Sequence, residues 1–361
     1  HSHYDLWMSE KHPNYKKRFY PMITNKGQNT VGAGETEACQ VWPMDVPTEL
    51  YHTNWVAERT IEWLSSQDDE DDWFCWMSFP DPHHPWDIPL SEMSRLNWKD
   101  VPLPSLYSET DGERRALLAD KPKHWLGYYE GSLWTNLESP REFIPAELTP
   151  DQVREINAIT HIENELIDDA CGRVLGWLDD RGWMSNTDVF FTTDHGELQG
   201  DFGLMFKGPY HVDALMRLPF IWRPAGGTES VSVGAPVGHL DLAPTFCEIA
   251  GIEIPDYMEG QTLPVSDNTF QGRDYVLTEW DSEHGPVDMH LKSIYRSDGW
   301  LCTAYDKSTL YEGTEGELYN LKTDPEQREN LWSKETQIQR ELVEAIHDSL
   351  PDARKPRLER R

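Results

Sequence analysis

The amino-acid sequence predicts an α/β protein, with a sheet flanked by helices and a smaller antiparallel sheet near the C terminus. A buried-strand pattern from Val189 to Thr193 ends abruptly in charged residues. A long amphipathic helix pattern, from Thr149 to about Gly182, comes directly before it. Short strand patterns joined by turn residues follow position 266. Since open α/β sheets bind ligands where strands give way to loops, we expect the functional site just after Thr193.

The composition excludes several classes of partner. The chain has 361 residues with 32 Lys+Arg against 64 Asp+Glu, a net charge of −32. This charge argues against binding to nucleic acid or to an anionic membrane surface. No apolar run approaches the roughly 18 residues that a membrane span needs. The compartment stays open, because the chain begins at His1 without a signal-peptide pattern. The oligomeric state stays open as well.

The first 150 residues alternate between loops and short elements. Residues 1–50 predict loops with short pieces of structure, followed by a helix that Thr53 caps and that ends near Leu64. Residues 73–79 (WFCWMSF) have the pattern of a buried strand. Residues 86–148 are interpreted as an insertion near the mouth of the site. Its aromatic residues could stack on a sugar or an aromatic leaving group, or could simply pack the insertion onto the domain; they are Trp125, Tyr128, Tyr129 and Trp134.

The long helix has a clear start and one apolar face. Thr149 is the predicted cap, with Pro150 at the first helical position and Gln152 three residues after the cap. Acidic residues along this helix could be read as a ligand set, but charge that faces water is the more common case. These residues are Glu163, Glu165, Asp168 and Asp169.

The region after residue 217 completes the predicted architecture. We expect a buried strand at 218–222, a short helix at 241–250, a final helix at 334–350, and four strands of the small sheet at 275–280, 293–297, 300–305 and 317–321. The sequence is therefore divided into a catalytic domain, residues 1–265, and a C-terminal subdomain, residues 266–361.

The residues after the central strand suggest metal-assisted chemistry on an anionic ester. Asp194 and His195 can offer an oxygen and a nitrogen to a divalent cation, while Gly196 lets the backbone turn away. Lys207 follows at a distance that a loop can fold back. A cation beside a metal suits a sulfate or phosphate ester, because both neutralise charge in the transition state. For the tripeptide Asp-His-Gly alone, a strand-ending turn is the commoner explanation.

The whole segment resembles the sulfatase family of the alkaline-phosphatase-like superfamily. The resemblance implies a central mixed, mostly parallel sheet, metal ligation by Asp194 and His195, usually of calcium, and contact of Lys207 with the sulfate. It is carried by 193–197 (TDHGE), 200–203 (GDFG), 207–210 (KGPY) and 217–219 (RLP), and near the C terminus by 317–321 (ELYNL), 324–325 (DP) and 329–331 (ENL).

A second stretch of the chain carries the same resemblance. Residues 78–85 (SFPDPHHP) match a sulfatase segment whose histidine contacts the ester and can protonate the leaving oxygen; that position is His83, and His84 falls on a variable one. His211 and Arg217 are candidate substrate-binding residues. Arg217 could equally pair with a carboxylate and orient the loop.

Two elements of the family pattern are not found in the sequence. Sulfatases use a Cys or Ser within Cys/Ser-x-Pro/Ala-x-Arg, oxidised to formylglycine, and an Asp-Asp pair as further metal ligands. None of the five cysteines begins such a motif, and no Asp-Asp-x-Gly follows an apolar strand. We therefore expect the catalytic domain to be incomplete here, with the formylglycine nucleophile supplied by an N-terminal part outside this chain.

The sequence thus predicts a sulfuric ester hydrolase that acts on a small-molecule or saccharide sulfate ester. Its visible metal ligands, one carboxylate and one imidazole, favour calcium first and magnesium or manganese next. Two alternatives stay open: a phosphonate monoester or phosphodiester hydrolase of the same superfamily, and a non-catalytic anion-binding fragment.

Overall fold

The computed structural model describes residues 3–19, 31–134, 139–227, 230, 232–264, 272–282 and 288–350. Within these ranges the helices are α1 His3–Lys11, α2 Tyr15–Phe19, α3 His52–Leu64, α4 Asp111–Ala119, α5 Lys123–Tyr129, α6 Pro150–Asp180, α7 Asp213–Met216, α8 Leu242–Ile249 and α9 Thr336–Ser349. The strands are β1 Val189–Thr192, β2 Phe220–Arg223, β3 Tyr275–Ser282, β4 Met289–Arg296, β5 Trp300–Tyr305 and β6 Gly316–Asn320.

Helix α6 forms as the sequence predicts. The Thr149 side chain accepts from the Gln152 backbone, and the Gln152 side chain accepts from the Thr149 backbone, so two backbone donors at the helix start are satisfied. The predicted apolar face is buried along the whole helix. Its C-terminal half packs against α3 through Ala170 and Ala57.

Thr53 is not the cap of α3, as the sequence had suggested. The cap position is Tyr51, and Thr53 lies inside the helix. Its buried hydroxyl instead donates a 2.6 Å hydrogen bond to Asp81 Oδ2. A capping residue and a residue that bonds a distant loop look alike in sequence, because both are polar residues at a helix start.

The strands that flank the site segment pair in the antiparallel direction. Val189 lies opposite Arg223, and Thr192 lies opposite Phe220. The predicted strand at 73–79 is extended but joins no ladder in the described part of the chain. Its side chains alternate, with Phe74 and Trp76 exposed. Among the described residues the ladder beside the site is thus antiparallel, whereas the isolated bridges Val41–Trp86 and Met44–Pro89 are parallel.

Residues 86–148 are not a structureless insertion. They contain α4, α5 and several 3-10 turns. Trp125, Tyr128 and Tyr129 are fully buried, and they pack with Phe202 and Tyr210. Of the two roles considered for these aromatic residues, packing against the domain is therefore the one that the structure supports. They cannot stack on a ligand without leaving the core.

The C-terminal part forms the predicted antiparallel sheet, in the order β3-β4-β5-β6, and α9 covers it. Buried polar contacts fix this sheet to the rest of the chain. Lys121 Nζ donates to the Tyr319 hydroxyl at 2.8 Å, and Trp125 Nε1 donates to Glu317 at 3.1 Å. Among the described helices, none combines the length and the apolar character that a membrane crossing requires.

Candidate active site

The turn after β1 is held by a close approach of two backbone segments. The Gly196 N–H donates to the Leu215 carbonyl at 2.9 Å. A Cβ atom at position 196 would lie 1.9 Å from the Ala214 carbonyl oxygen, so only glycine fits. Glycine is therefore required at position 196 because there is no space for a side chain. The same contact holds the turn against α7, with Asp194 and His195 at the tip of the turn.

Asp194 and His195 present one oxygen and one nitrogen on the same side. His195 Nδ1 lies 2.8 Å from the Gly196 carbonyl, which can only accept, so Nδ1 is the donor and Nε2 is the ring nitrogen left for a ligand. Nε2 lies 3.5 Å from Asp194 Oδ2. Two ligands of one divalent cation commonly lie about 3 to 3.5 Å apart, so these residues fit a metal.

The Asp194 carboxylate is exposed and favours its charged form. Partial burial raises its pKa, but the His195 ring and the His195 N–H, which donates at 3.0 Å, outweigh that effect. The net result is a pKa of Asp194 below its usual value. This carboxylate is therefore ionised and ready to bind a cation over the neutral pH range.

Lys207 and His83 are in direct contact. Lys207 Nζ lies 2.8 Å from His83 Nε2, and His83 Nδ1 donates to the His84 carbonyl. Glu197 Oε2 lies 3.9 Å from the same ammonium group. Since Nδ1 is held as a donor, His83 directs Nε2 toward Lys207, and the two groups form one positively charged unit that a carboxylate partly balances.

These groups share one open cleft of 2910 Å³. His83, Asp194, His195 and Glu197 are among the residues that line it, and Lys207 joins them through its contact with His83. The structure thus brings together four predicted site residues that come from two distant parts of the sequence.

Two predicted substrate-binding residues lie in different surroundings. His211 is buried, with Nδ1 2.6 Å from the Ser293 hydroxyl of β4, and burial lowers its pKa to about 4. Arg217 is exposed, and its Nε lies 3.3 Å from Asp213. The structure therefore places His211 against the small sheet. Arg217 pairs with a carboxylate, which agrees with the second role considered for it, that of orienting the loop.

Sequence reasoning assigned no role to two residues of this region. Glu197 lies inside the matched motif, and only its position next to Asp194 and His195 hinted that it faces the site. His84 occupies a variable position of the motif, yet it is buried and stacks on His83 at a ring distance of 4.3 Å. His84 therefore supports His83 from behind, which the sequence pattern does not reveal.

Two family descriptions match the chain. The one described as Sulfatase covers residues 2–252, more than half of the chain. The one described as N-sulphoglucosamine sulphohydrolase, C-terminal, covers residues 200–355.

The chain is similar to one curated relative over most of its length. An arylsulfatase of Clostridium perfringens (strain 13 / Type A) is 26% identical over 312 residues, which cover 82% of this chain and 57% of that enzyme. This chain therefore spans little more than half the length of the curated relative.

Solved structures confirm the predicted fold class. The phosphonate monoester hydrolase of Agrobacterium radiobacter has a TM-score of 0.69 at 21% identity, over 85% of this chain and 62% of that one. BT4656, solved in complex with its substrate D-glucosamine-2-N,6-O-disulfate, has a TM-score of 0.61 at 19% identity, over 83% of this chain and 69% of that one. At these identities the likeness concerns the fold, which is of the α/β, alkaline-phosphatase-like type. With a family match over most of its residues, the chain belongs to the sulfatase family.

Proposed function

We propose that the complete protein hydrolyses a sulfate ester. The observation that carries this proposal is the meeting of the Lys207–His83 contact and the Asp194–His195 pair in one cleft of a sulfatase-family chain. One pair supplies positive charge for an anionic group, and the other supplies metal ligands. Each pair by itself would have an ordinary structural explanation.

Asp194 and His195 would hold a divalent cation, calcium first and magnesium or manganese next. The fit rests on the 3.5 Å separation of Oδ2 and Nε2 and on the absence of a thiolate from the pair. When bound, such a cation would neutralise negative charge on the ester oxygens.

Lys207 and His83 would act on the transferred group. The Lys207 ammonium can bind the charged sulfate oxygens, and its position 3.9 Å from Glu197 keeps it oriented toward His83. His83 Nε2 is the nitrogen that can hold a proton for the departing ester oxygen, because Nδ1 already donates to the His84 carbonyl. The two residues would thus stabilise charge on both sides of the bond that breaks.

The nucleophile would come from residues outside this sequence, as a formylglycine formed from Cys or Ser. The structure supports this with an uncovered apolar face around the site. Phe74 is 61% exposed, Trp76 66% and Ile221 63%. A two-stranded sheet such as β1–β2 is marginally stable alone, so we propose that further strands of the catalytic domain cover this face in the complete protein.

The coding sequence upstream of His1 tests this proposal directly. We expect a continuous reading frame that contains Cys/Ser-x-Pro/Ala-x-Arg and an Asp-Asp pair. A start codon at this boundary, with no such segment nearby, would instead favour the non-catalytic anion-binding alternative.

The substrate class is a small-molecule or saccharide sulfate ester. The relative named an arylsulfatase and the structure solved with a glucosamine disulfate support this choice. The likeness to a phosphonate monoester hydrolase supports a second candidate, hydrolysis of a phosphonate monoester or phosphodiester. Parallel assays of the complete protein on an aryl sulfate and an aryl phosphonate ester separate the two. Faster turnover of the phosphorus ester would overturn the sulfatase proposal.

A further inference from the structure

A buried carboxylate lies beneath the loop that carries His83. Glu163, on α6, is fully buried, and neither of its carboxylate oxygens has a hydrogen-bond partner of normal geometry. Its three acidic neighbours on this helix, Glu165, Asp168 and Asp169, are exposed, so the expectation of a solvated acidic helix is wrong for Glu163 alone.

Three further metal-ligating side chains surround this part of the core. His52, Asp81 and Asp87 each offer a ligand atom, and these atoms all lie within 4.8 Å of one another. His52 Nδ1 lies 3.5 Å from Asp81 Oδ2, and Nε2 lies 3.6 Å from Asp87 Oδ1. Both separations exceed that of a good charge-assisted hydrogen bond and suit atoms that share a cation.

Glu163 faces the same cluster. Burial, together with the nearby charges of Asp81 and Asp87, raises the pKa of Glu163 well above its ordinary value. The Asp87 backbone N–H lowers the pKa of Glu163, although it does not form a hydrogen bond of normal geometry with the Glu163 carboxylate. A buried, unpaired carboxylate beside two others is costly, so the site must take up either a proton or a cation.

We propose that His52, Asp81 and Asp87 bind a divalent cation of the Mn²⁺ class, whose charge also compensates the buried Glu163 carboxylate. Two carboxylates and one imidazole without a thiolate form a mainly hard ligand set, which a cation such as Mn²⁺ satisfies with oxygen and nitrogen together. This cation would be a second one, because Asp194 and His195 contribute nothing to the cluster.

The cation would position the His83 loop. Its ligands come from two segments, namely the start of α3 and the loop at 81–87, and Glu163 adds negative charge from the middle of α6. Asp81 is two residues before His83, and the Thr53 hydroxyl already holds its Oδ2 at 2.6 Å. Glu163 is thus a positioning residue, and this role of the site rests on the proposed function of His83.

Manganese binding to the complete protein tests the proposal. The Asp194→Ala/His195→Ala double variant removes the first metal pair, so that any remaining stoichiometric binding belongs to the second site. We expect equilibrium dialysis to show one Mn²⁺ per chain in this background. Adding Glu163→Gln should weaken that binding at least tenfold. Excess Mn²⁺ should raise the thermal midpoint of the double variant by several degrees but leave that of the triple variant unchanged.

Glu155→Gln is the matched control. Glu155 is equally buried on the same helix, but it accepts hydrogen bonds from the Glu35 and Thr36 backbone. Its replacement should lower stability without changing the affinity for Mn²⁺.

The rival explanation is a protonated His52 that pairs with Asp81 and Asp87 while Glu163 stays neutral. It predicts no stoichiometric Mn²⁺ in the double variant and identical midpoints with and without the metal, and that result would overturn the proposal. Binding that Glu163→Gln leaves intact would also overturn it. If Glu163→Gln does not fold, Asp87→Asn replaces it in the same measurements, with the same expected loss.

Discussion

Lys207 Nζ lies 2.8 Å from His83 Nε2, although 124 residues separate the two positions. On one side of this contact the Gly196 N–H holds the turn after β1 against α7, and on the other side the Thr53 hydroxyl holds Asp81 of the 81–87 loop. The Lys207 ammonium can bind the oxygens of an anion, and His83 Nε2 can carry the proton that its leaving oxygen needs.

Replacing Lys207 with Ala should remove charge stabilisation of the transferred group. In the complete enzyme we expect kcat to fall on the order of a hundredfold or more, and Lys207→Arg to restore little, because a planar guanidinium approaches its partners differently from an ammonium. The thermal midpoint should change little, since the 3.9 Å separation from Glu197 is too long for a hydrogen bond. Steady-state kinetics and thermal unfolding should be measured on the same samples.

Lys307→Ala is the control for this prediction. Lys307 is exposed and lies 4.0 Å from Glu312, so its loss should leave both kcat and the midpoint unchanged. Near-normal turnover of Lys207→Ala would remove Lys207 from the site.

Gly196→Ala should destabilise the chain through a steric clash. The new Cβ would lie 1.9 Å from the Ala214 carbonyl oxygen, and the backbone on both sides must shift. We expect a loss of about 1 to 3 kcal/mol in the free energy of unfolding, measured by urea denaturation. Gly172→Ala, in α6 with nothing within 4 Å of its new Cβ, should instead be neutral or stabilising by about 0.5 to 1 kcal/mol. Equal stabilities for the two variants would contradict this account.

Buried histidines should make the fold sensitive to acid. Burial lowers the pKa of His211 to about 4 and that of His124 to about 3, whereas both would titrate near about 6.5 in the unfolded chain. Their contribution to stability is therefore complete above about pH 6.5 and is lost as the pH falls toward 4. In His211→Gln, the slope of unfolding free energy against pH over that window should decrease by about 1.4 kcal/mol per pH unit.

Urea denaturation across that pH window measures this slope. His347→Gln, at an exposed position of α9, should leave it unchanged. Assays of His211→Gln in the complete enzyme also test the predicted substrate role of His211. A large loss of turnover with an unchanged pH slope would support contact with substrate over a structural role at the small sheet.

Replacing Asp194 should lower the metal content of the protein. We expect elemental analysis of the complete protein to find calcium, or magnesium or manganese, and Asp194→Asn to lose one equivalent together with most of the activity. Asp348→Asn, at an exposed position of α9, should keep both the metal and the turnover. Stoichiometric zinc with neither calcium nor manganese would contradict the predicted ligand chemistry.

The sequence by itself determined the features that local chemistry encodes. The cap at Thr149 and the apolar face of α6 follow from helical spacing, and the four strands of the small sheet follow from alternation and a Gly299 turn. Asp194 and His195 follow from the end of an apolar strand pattern, although the strand itself is half-exposed in the described structure and not buried as predicted. Each of these depends on residues close together along the chain, so the pattern is visible without the fold.

The tertiary structure decided what depends on distant neighbours. It brought His83 to Lys207, buried Trp125 in a core and not at the mouth of the site, and turned Thr53 from a cap into a partner of Asp81. It also buried Glu163 while leaving Glu165 exposed, although both are acidic residues of one helix. Burial and hydrogen-bond partners depend on which segments pack against a side chain. Residue type and spacing along the chain do not contain that information.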